Sequence, residues 1–408
     1  MSEAFGGTTA ERILSARAGR PARAGDLVVC TPDLVLGTDG STPMALDYFE
    51  AMGGGPVARP DRVLLARDHY SPPTSAATRA FHDRMAAFAE ESGVGLLPVG
   101  GGIGFQVALE TGRVGAGDLV VGADSHTVMC GAVGAFATGI GSADLAGALR
   151  TGRVWLRVPA SWRIVLDGRL PTGTGAKDAA LDMVRRLGPD AAAWTSLEFH
   201  GPGADGLPVE ERMVLSNMSA EAGAMAGIFP PRAGPGAPSA DAAYAREIRL
   251  DLGALEPQVA LPHDPTHGVA VAEAAGTLID FVFLGTCTGG RVHDFREARR
   301  VLEAGGGIAP GVTVVVTPPT AHVRAALSAD GTLAALEAMG AHVTETGCGP
   351  CCGTSPLVPP DGARVISTAN RNFKARMGPA TASIWLASPA TCAAAASRGR
   401  IVDPREVA

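Results

Sequence analysis

The chain has 408 residues, 34 Lys and Arg against 41 Asp and Glu, a net charge of −7, and is 46% hydrophobic; at roughly 100–200 residues per domain this predicts two to three domains. The acidic balance, with no basic block, excludes the phosphate neutralisation on which nucleic-acid binding depends. No apolar run reaches the roughly 18 residues of a membrane span and the N-terminal segment has acids but no apolar leader core, so the expectation is a cytoplasmic protein with no nucleic-acid or membrane partner, its seven cysteines reduced.

Along the chain, short apolar runs alternate with amphipathic stretches, the rhythm of parallel α/β sheets. Strands are predicted at 61–66, 118–122, 163–166, 281–284 and 312–317, and helices at 74–91, 176–187, 293–304 and 332–339. The Pro-, Gly- and Ala-rich stretch 230–243 reads as a linker and 261–268 as a second soft point. Cuts near 160 and 270 give three expected units, 1–160, 161–270 and 271–408. The only lysines, Lys177 and Lys374, read as a compositional bias.

Polar clusters follow the predicted strands: Asp68-His69, then GADSHT at 122–127, then GTCTGG at 285–290. Ligands of open α/β sheets bind outside the carboxyl ends of strands, so these clusters predict one shared cleft. Cys287 and the C-x2-C pair Cys348 and Cys351 make three candidate metal ligands, with Cys352 a bystander and Cys30 and Cys392 packing residues. Spacing alone leaves open an iron-sulfur cluster, zinc, a redox pair or three buried thiols. Three thiolates on a cubane would leave one iron open as a Lewis acid.

GADSHT, GAFATGIGSADLA, LEFHG, SNMSAEAGA, GTCT, GCGPC and STANRNFKARMGPATASIWLASPA occur in this order from about Thr9 to Pro404. Together they resemble the aconitase superfamily, and within it the large subunits of 3-isopropylmalate dehydratases and homoaconitases. The resemblance implies an α/β fold of three α/β/α domains around a central cluster-binding cleft, lacking the mobile fourth (swivel) domain. It also implies one [4Fe-4S] cluster per subunit on Cys287, Cys348 and Cys351, and dehydration and rehydration of a hydroxy-dicarboxylate or hydroxy-tricarboxylate. Asp68 would orient His69, which protonates the leaving hydroxyl; Asp124 and His126 would line the hydroxyl site, with Glu198 of LEFHG paired to His126. Ser125, Arg371, Arg376, Asn370 and Asn217 match substrate-side positions, the arginines being suited to clamp carboxylates.

The default substrate pair is 2- and 3-isopropylmalate of leucine biosynthesis. The alternatives are another substituted malate or a homoaconitate-like substrate in secondary metabolism, and a cluster-bearing binding protein without turnover. Three positions depart from the family pattern. Phe105 stands where a histidine usually pairs with the aspartate at Asp124, so a shifted pKa or a water partner is expected for Asp124. Gly289 replaces an asparagine beside the cluster, and Ala375 replaces a glycine, read as the milder change. The tail at 396–408 has no match to the serine-arginine motif that the resemblance places on the family's fourth domain, so the expected partner is a small subunit carrying the swivel domain and the catalytic base.

Overall fold

Leu34–Thr38, Val63–Ala66, Leu119–Gly122 and Phe136–Gly139 are short, apolar and buried nearly throughout, as strands covered on both faces must be. The computed structural model, which describes residues 6–407, pairs them with Gly95–Leu96 into a five-stranded sheet, every neighbour parallel. Local chemistry sets the helix ends. Ser75 accepts a hydrogen bond from the Thr78 N–H to start Ala76–Ser92, and Gly93 stops it in the left-handed conformation.

A second, four-stranded parallel sheet orders Ala226–Ile228, Thr195–His200, Ala160–Asp167 and Arg246–Asp251. The third has seven strands. Ser383–Ala387, Arg364–Ser367, Phe281–Gly285, Thr313–Thr317 and His342–Val343 run parallel, while Gln258–Ala260 and Gly268–Ala270 add an antiparallel edge. Gln258–Ala260 bonds to Ser383–Ala387, so the third sheet draws its antiparallel edge from residues ahead of 270. The stretch 230–243 has neither helix nor strand. It is a strap rather than a free linker: the Ala237 carbonyl accepts from the Arg12 guanidinium, and Gly236 lies against Ile13.

The sheets share cores. Ile164, Leu197 and Phe199 pack in one cluster with Phe281, Phe283 and Ile384, and Leu34, Leu36 and Phe105 in another with Cys287. Backbone bonds tie the first sheet to the third: Ile103 N–H donates to Pro319 and Cys348 N–H to Asp68, both at 2.9 Å. The second approach requires glycine at 347, where φ is +146° and a Cβ would stand 2.7 Å from the Asp68 carbonyl. Among the described residues no helix is long and apolar enough to cross a membrane.

Candidate active site

Parallel strands deliver their following residues to one edge of a sheet, and here six such segments reach one cleft of about 270 Å³. They bring Thr38, Gly40 and Ser41; His69; Asp124, Ser125 and His126; Cys287; Cys348, Cys351 and Cys352; and Asn370, Arg371 and Arg376. Ile103, Phe105 and Ala123 form an apolar part of the wall.

His69 is flanked by carboxylates at both ring nitrogens. Nδ1 is 2.8 Å from Asp68 Oδ1, and Nε2 is 3.4 Å from Asp124 Oδ2. Asp68 is fully buried, its other oxygen accepting from Gly104 N–H at 3.0 Å. Asp39, not singled out in the sequence, holds the loop by accepting from the N–H groups of His69 and Tyr70 and pairing with His82 Nε2 at 2.8 Å. Burial opposes a charged His69, but Cys348, Asp68 and Asp124 outweigh it and hold its pKa well above the ordinary value.

Asp124 caps the turn Ser125–Val133, its Oδ1 accepting from His126 N–H at 2.7 Å. It lies 3.4 Å from His69 and 3.5 Å from the His126 ring. Burial raises its pKa, yet the two histidines prevail and hold it well below the usual carboxylate range. Asp124 therefore needs neither the missing imidazole nor a water to stay ionised. Phe105 is 3% exposed, and its side chain is part of the cleft wall.

The expected pairing of Glu198 with His126 is not what the fold makes. Glu198 lies away from the cleft, fully buried, accepting from Thr9 and Ala10 N–H, the Ser161 hydroxyl and the Tyr244 hydroxyl. There it satisfies the first amides of helix Thr9–Ala18, which favour a carboxylate. The partner of His126 is Glu221, 2.9 Å from Nε2 and also 3.0 Å from Arg371 Nε. Burial pushes Glu221 up, but His126 and Arg371 lower it further. Its signal lay in SNMSAEAGA, where an acid follows the helix Val209–Met218 in a short turn.

Arg371 is thus partly neutralised, whereas Arg376 has no carboxylate partner among the described residues: it reaches Cys351 Sγ at 3.8 Å, and its buried Nε has no partner. An arginine without an anion in a cleft is poised for a ligand's carboxylate. Ser125 is exposed at the rim.

Cys287, Cys348 and Cys351 all face the cleft, and no disulfide forms among the described residues. The donor set fits a cluster. Asn370 Nδ2 donates to Cys287 Sγ at 3.3 Å and to Asn217 Oδ1 at 3.2 Å, and the buried Asn217 Nδ2, beside the Cys287 sulfur, has no conventional partner. Burial pushes the Cys287 thiol up to about 12, so it ionises only when a metal takes the thiolate. Cys352 shares the turn Gly349–Cys352 and sits 2.9 Å from Thr354 Oγ1. Asp68, His69 and Cys348 also lie close enough to hold one ion, but the Asp68 contact already engages His69 Nδ1.

Gly289 has no space for a side chain, since a Cβ there would sit 2.3 Å from Thr368 Cβ. Thr368 occupies the volume an asparagine would need. Ala375 adopts φ +62°, a left-handed conformation that suits glycine better than alanine. Lys177 lies beneath the cysteine loop with 2% exposure, donating to Thr288 Oγ1, the Thr368 carbonyl and the Ala369 carbonyl.

The chain matches the aconitase family (aconitate hydratase) over residues 11–234 and 236–399. It is 41% identical to the 3-isopropylmalate dehydratase large subunit 1 of Methanopyrus kandleri, covering 98% of this chain and 99% of the relative. It is 42% identical to the homoaconitase large subunit of Thermus thermophilus, over 99% of this chain and 98% of the relative. It also resembles the crystal structure of the holo-form of aconitase X from Thermococcus kodakaraensis, with TM-score 0.54 and 13% identity over 89% of this chain and 88% of that one; this last likeness is one of fold.

Proposed function

The chain belongs to the aconitase family, and on that premise we propose that it is the large, catalytic subunit of an iron-sulfur hydro-lyase that interconverts 2- and 3-alkylmalates. The default pair is 2- and 3-isopropylmalate of leucine biosynthesis. The observation that carries the reading is the convergence, in one cleft, of three cysteines, a histidine between two carboxylates, and two arginines. Full-length similarity to 3-isopropylmalate dehydratase large subunits supports the substrate class. Free, largely buried cysteines suit a reducing cytoplasm.

Cys287, Cys348 and Cys351 would hold one [4Fe-4S] cluster. When bound, the cluster supplies an open iron, a Lewis acid that weakens the carbon-oxygen bond of the substrate's hydroxyl. The chain's own residues handle charge and protons. Arg376, with Arg371 oriented by Glu221, binds the carboxylates. His69, kept protonated by Asp68 and Asp124, gives its Nε2 proton to the departing hydroxyl, and Asp68 then stabilises the ring through Nδ1. Asn370 and Asn217 orient the sulfur of Cys287.

Removing the proton beside the carboxylate needs a further base. The carboxylates and histidines described in the cleft are committed to one another. We assign that base, and closure of the cleft against water, to a small subunit carrying a swivel domain. A second reading, a paralogue acting on another substituted malate, draws on Phe105, whose apolar ring in the wall changes the shape offered to the substrate's side chain.

The test is anaerobic loading with iron and sulfide, followed by hydration of alkene diacids bearing isopropyl, other alkyl or carboxyalkyl groups, with and without a small subunit of the split type. Turnover of an alkyl-bearing diacid that depends on the small subunit is expected. A chain that takes up iron and sulfide yet hydrates none of the panel in the complex would overturn the reading.

A further inference from the structure

We propose that Lys177 is the counter-charge of the three-cysteine site: a buried ammonium that pins the Cys287 loop to the Asn370-Arg371 loop and balances the negative charge the cluster thiolates bring into the core. The proposal rests on the cluster reading above and concerns a residue that touches neither substrate nor cysteine sulfur, so its role is positioning and electrostatic.

Lys177 opens the helix Ala176–Leu187 in the second sheet's layer, yet its side chain reaches the third sheet's loops. Nζ donates to Thr288 Oγ1 at 3.1 Å, to the Thr368 carbonyl at 3.2 Å and to the Ala369 carbonyl at 2.6 Å, with Met218 Sδ at 3.7 Å. Thr288 is the neighbour of Cys287, and Ala369 is the neighbour of Asn370, which itself donates to Cys287 Sγ. One ammonium therefore joins both segments that meet at that sulfur.

All these partners are neutral. No carboxylate lies within ion-pair distance of Nζ among the described residues, in contrast to the other buried cation of this loop. Arg291 donates to the Cys287 carbonyl at 2.8 Å but is paired with Asp294 at 2.7 Å. A buried ammonium without an anion is expensive, because desolvation is not repaid by neutral acceptors alone. Burial lowers the Lys177 pKa, and the ionisable groups placed to influence it most are Cys287, Cys392, Arg291 and Glu221. Cys392 sits outside the cleft with its thiol bonded to the Ala387 carbonyl, and burial keeps it neutral. Glu221 is already shared by His126 and Arg371. Cys287 is left as the one group that turns into an anion when the site is filled.

The test compares the native chain, loaded anaerobically with ferrous iron and sulfide, with Lys177→Gln, which keeps two N–H donors without the charge. Lys177→Gln should lose iron to a chelator roughly 10–100-fold faster. Its cluster potential should be more negative, since an anionic centre deprived of a nearby cation accepts an electron less readily. Native potential and native iron retention in Lys177→Gln would overturn the proposal. Should that variant fail to fold, the native chain decides the matter, because it has only two lysines. Amine acylation read by mass spectrometry should label the exposed Lys374 equally in loaded and stripped protein, and label Lys177 at least about tenfold faster after stripping. Equal protection of Lys177 in both states would overturn the proposal. A native chain that takes up no iron and sulfide would overturn the cluster reading and the proposal with it, an outcome distinct from either of the others.

Discussion

Replacing Glu221 by glutamine removes one charge and half the acceptor capacity at the point where His126 and Arg371 meet. The carboxylate side chain is 2% exposed and makes contacts of 2.9 Å and 3.0 Å, one through each oxygen. Glutamine has a single oxygen, so one partner must face an N–H group. Losing a charge-assisted hydrogen bond at a buried site costs about 1.5–3 kcal/mol, which is roughly 10–150-fold in kcat/KM if the contact is fully used in the transition state. The loss should fall on kcat, because His126 is left without the group that fixes its tautomer. At Arg371, poorer orientation and a larger net charge push KM in opposite directions. Steady-state kinetics on the loaded complex, with thermal melting alongside, should be compared with Glu198→Gln. That variant should melt lower, by about 1–3 kcal/mol of stability, with native kcat/KM in the folded fraction. Native kinetics in Glu221→Gln together with an activity loss in Glu198→Gln at unchanged melting would refute the assignment.

Serine at Cys287, Cys348 or Cys351 should abolish the visible absorbance of the loaded chain, whereas Cys352→Ser should retain it; iron and sulfide analysis checks both. Phe105→His should lower kcat/KM for alkyl-bearing substrates relative to carboxyl-bearing ones by roughly 10–150-fold, the worth of about 1.5–3 kcal/mol of apolar contact, measured by direct competition. Ala375→Gly relieves the left-handed alanine and should raise stability by about 0.5–1 kcal/mol in denaturant unfolding.

The parallel strands were legible because burial on both faces demands continuous apolar runs. Phe281–Gly285 and Thr313–Thr317 differ from the expected spans only at an end. The antiparallel edge was not. Gln258–Ala260 and Gly268–Ala270 are each three residues long, too short for a period of two to register; Gln258–Ala260 is a strand by pairing with Ser383–Ala387 more than a hundred residues on, and Gly268–Ala270 by pairing with Gln258–Ala260 in turn. The same limit explains His126. LEFHG and SNMSAEAGA each offer an acid, and local pattern cannot rank them. The choice is made by packing of the helix Val209–Met218 and its following turn against Ser125–Val133, while the helix Thr9–Ala18 claims Glu198 for its own first amides. Scarcity of lysine is likewise visible in composition, but the burial of Lys177 depends on how the layers of the second and third sheets meet.

The departure at Phe105 shows how a network absorbs a lost partner. An aspartate with a single imidazole donor would be exposed to the substitution, its charge left to solvent or lost. Asp124 instead has His69 at one oxygen, and the His126 backbone and ring at the other. Each of those histidines is held by a second acid, His69 by Asp68 and His126 by Glu221. Removing one more imidazole from such a chain changes no proton's ownership, because the acids outnumber the rings they orient. What changes is the wall: beside Ile103 and Ala123, Phe105 presents carbon where a ring nitrogen would have stood. On the proposed function, a substrate's alkyl group would gain from that contact and a charged substituent would lose its donor, while Arg371 and Arg376, which line the same cleft, are untouched by the change. We therefore propose that the substitution acts on which side chain the cleft accepts, since the contacts among Asp68, His69, Asp124, His126 and Glu221 stand without a histidine at 105.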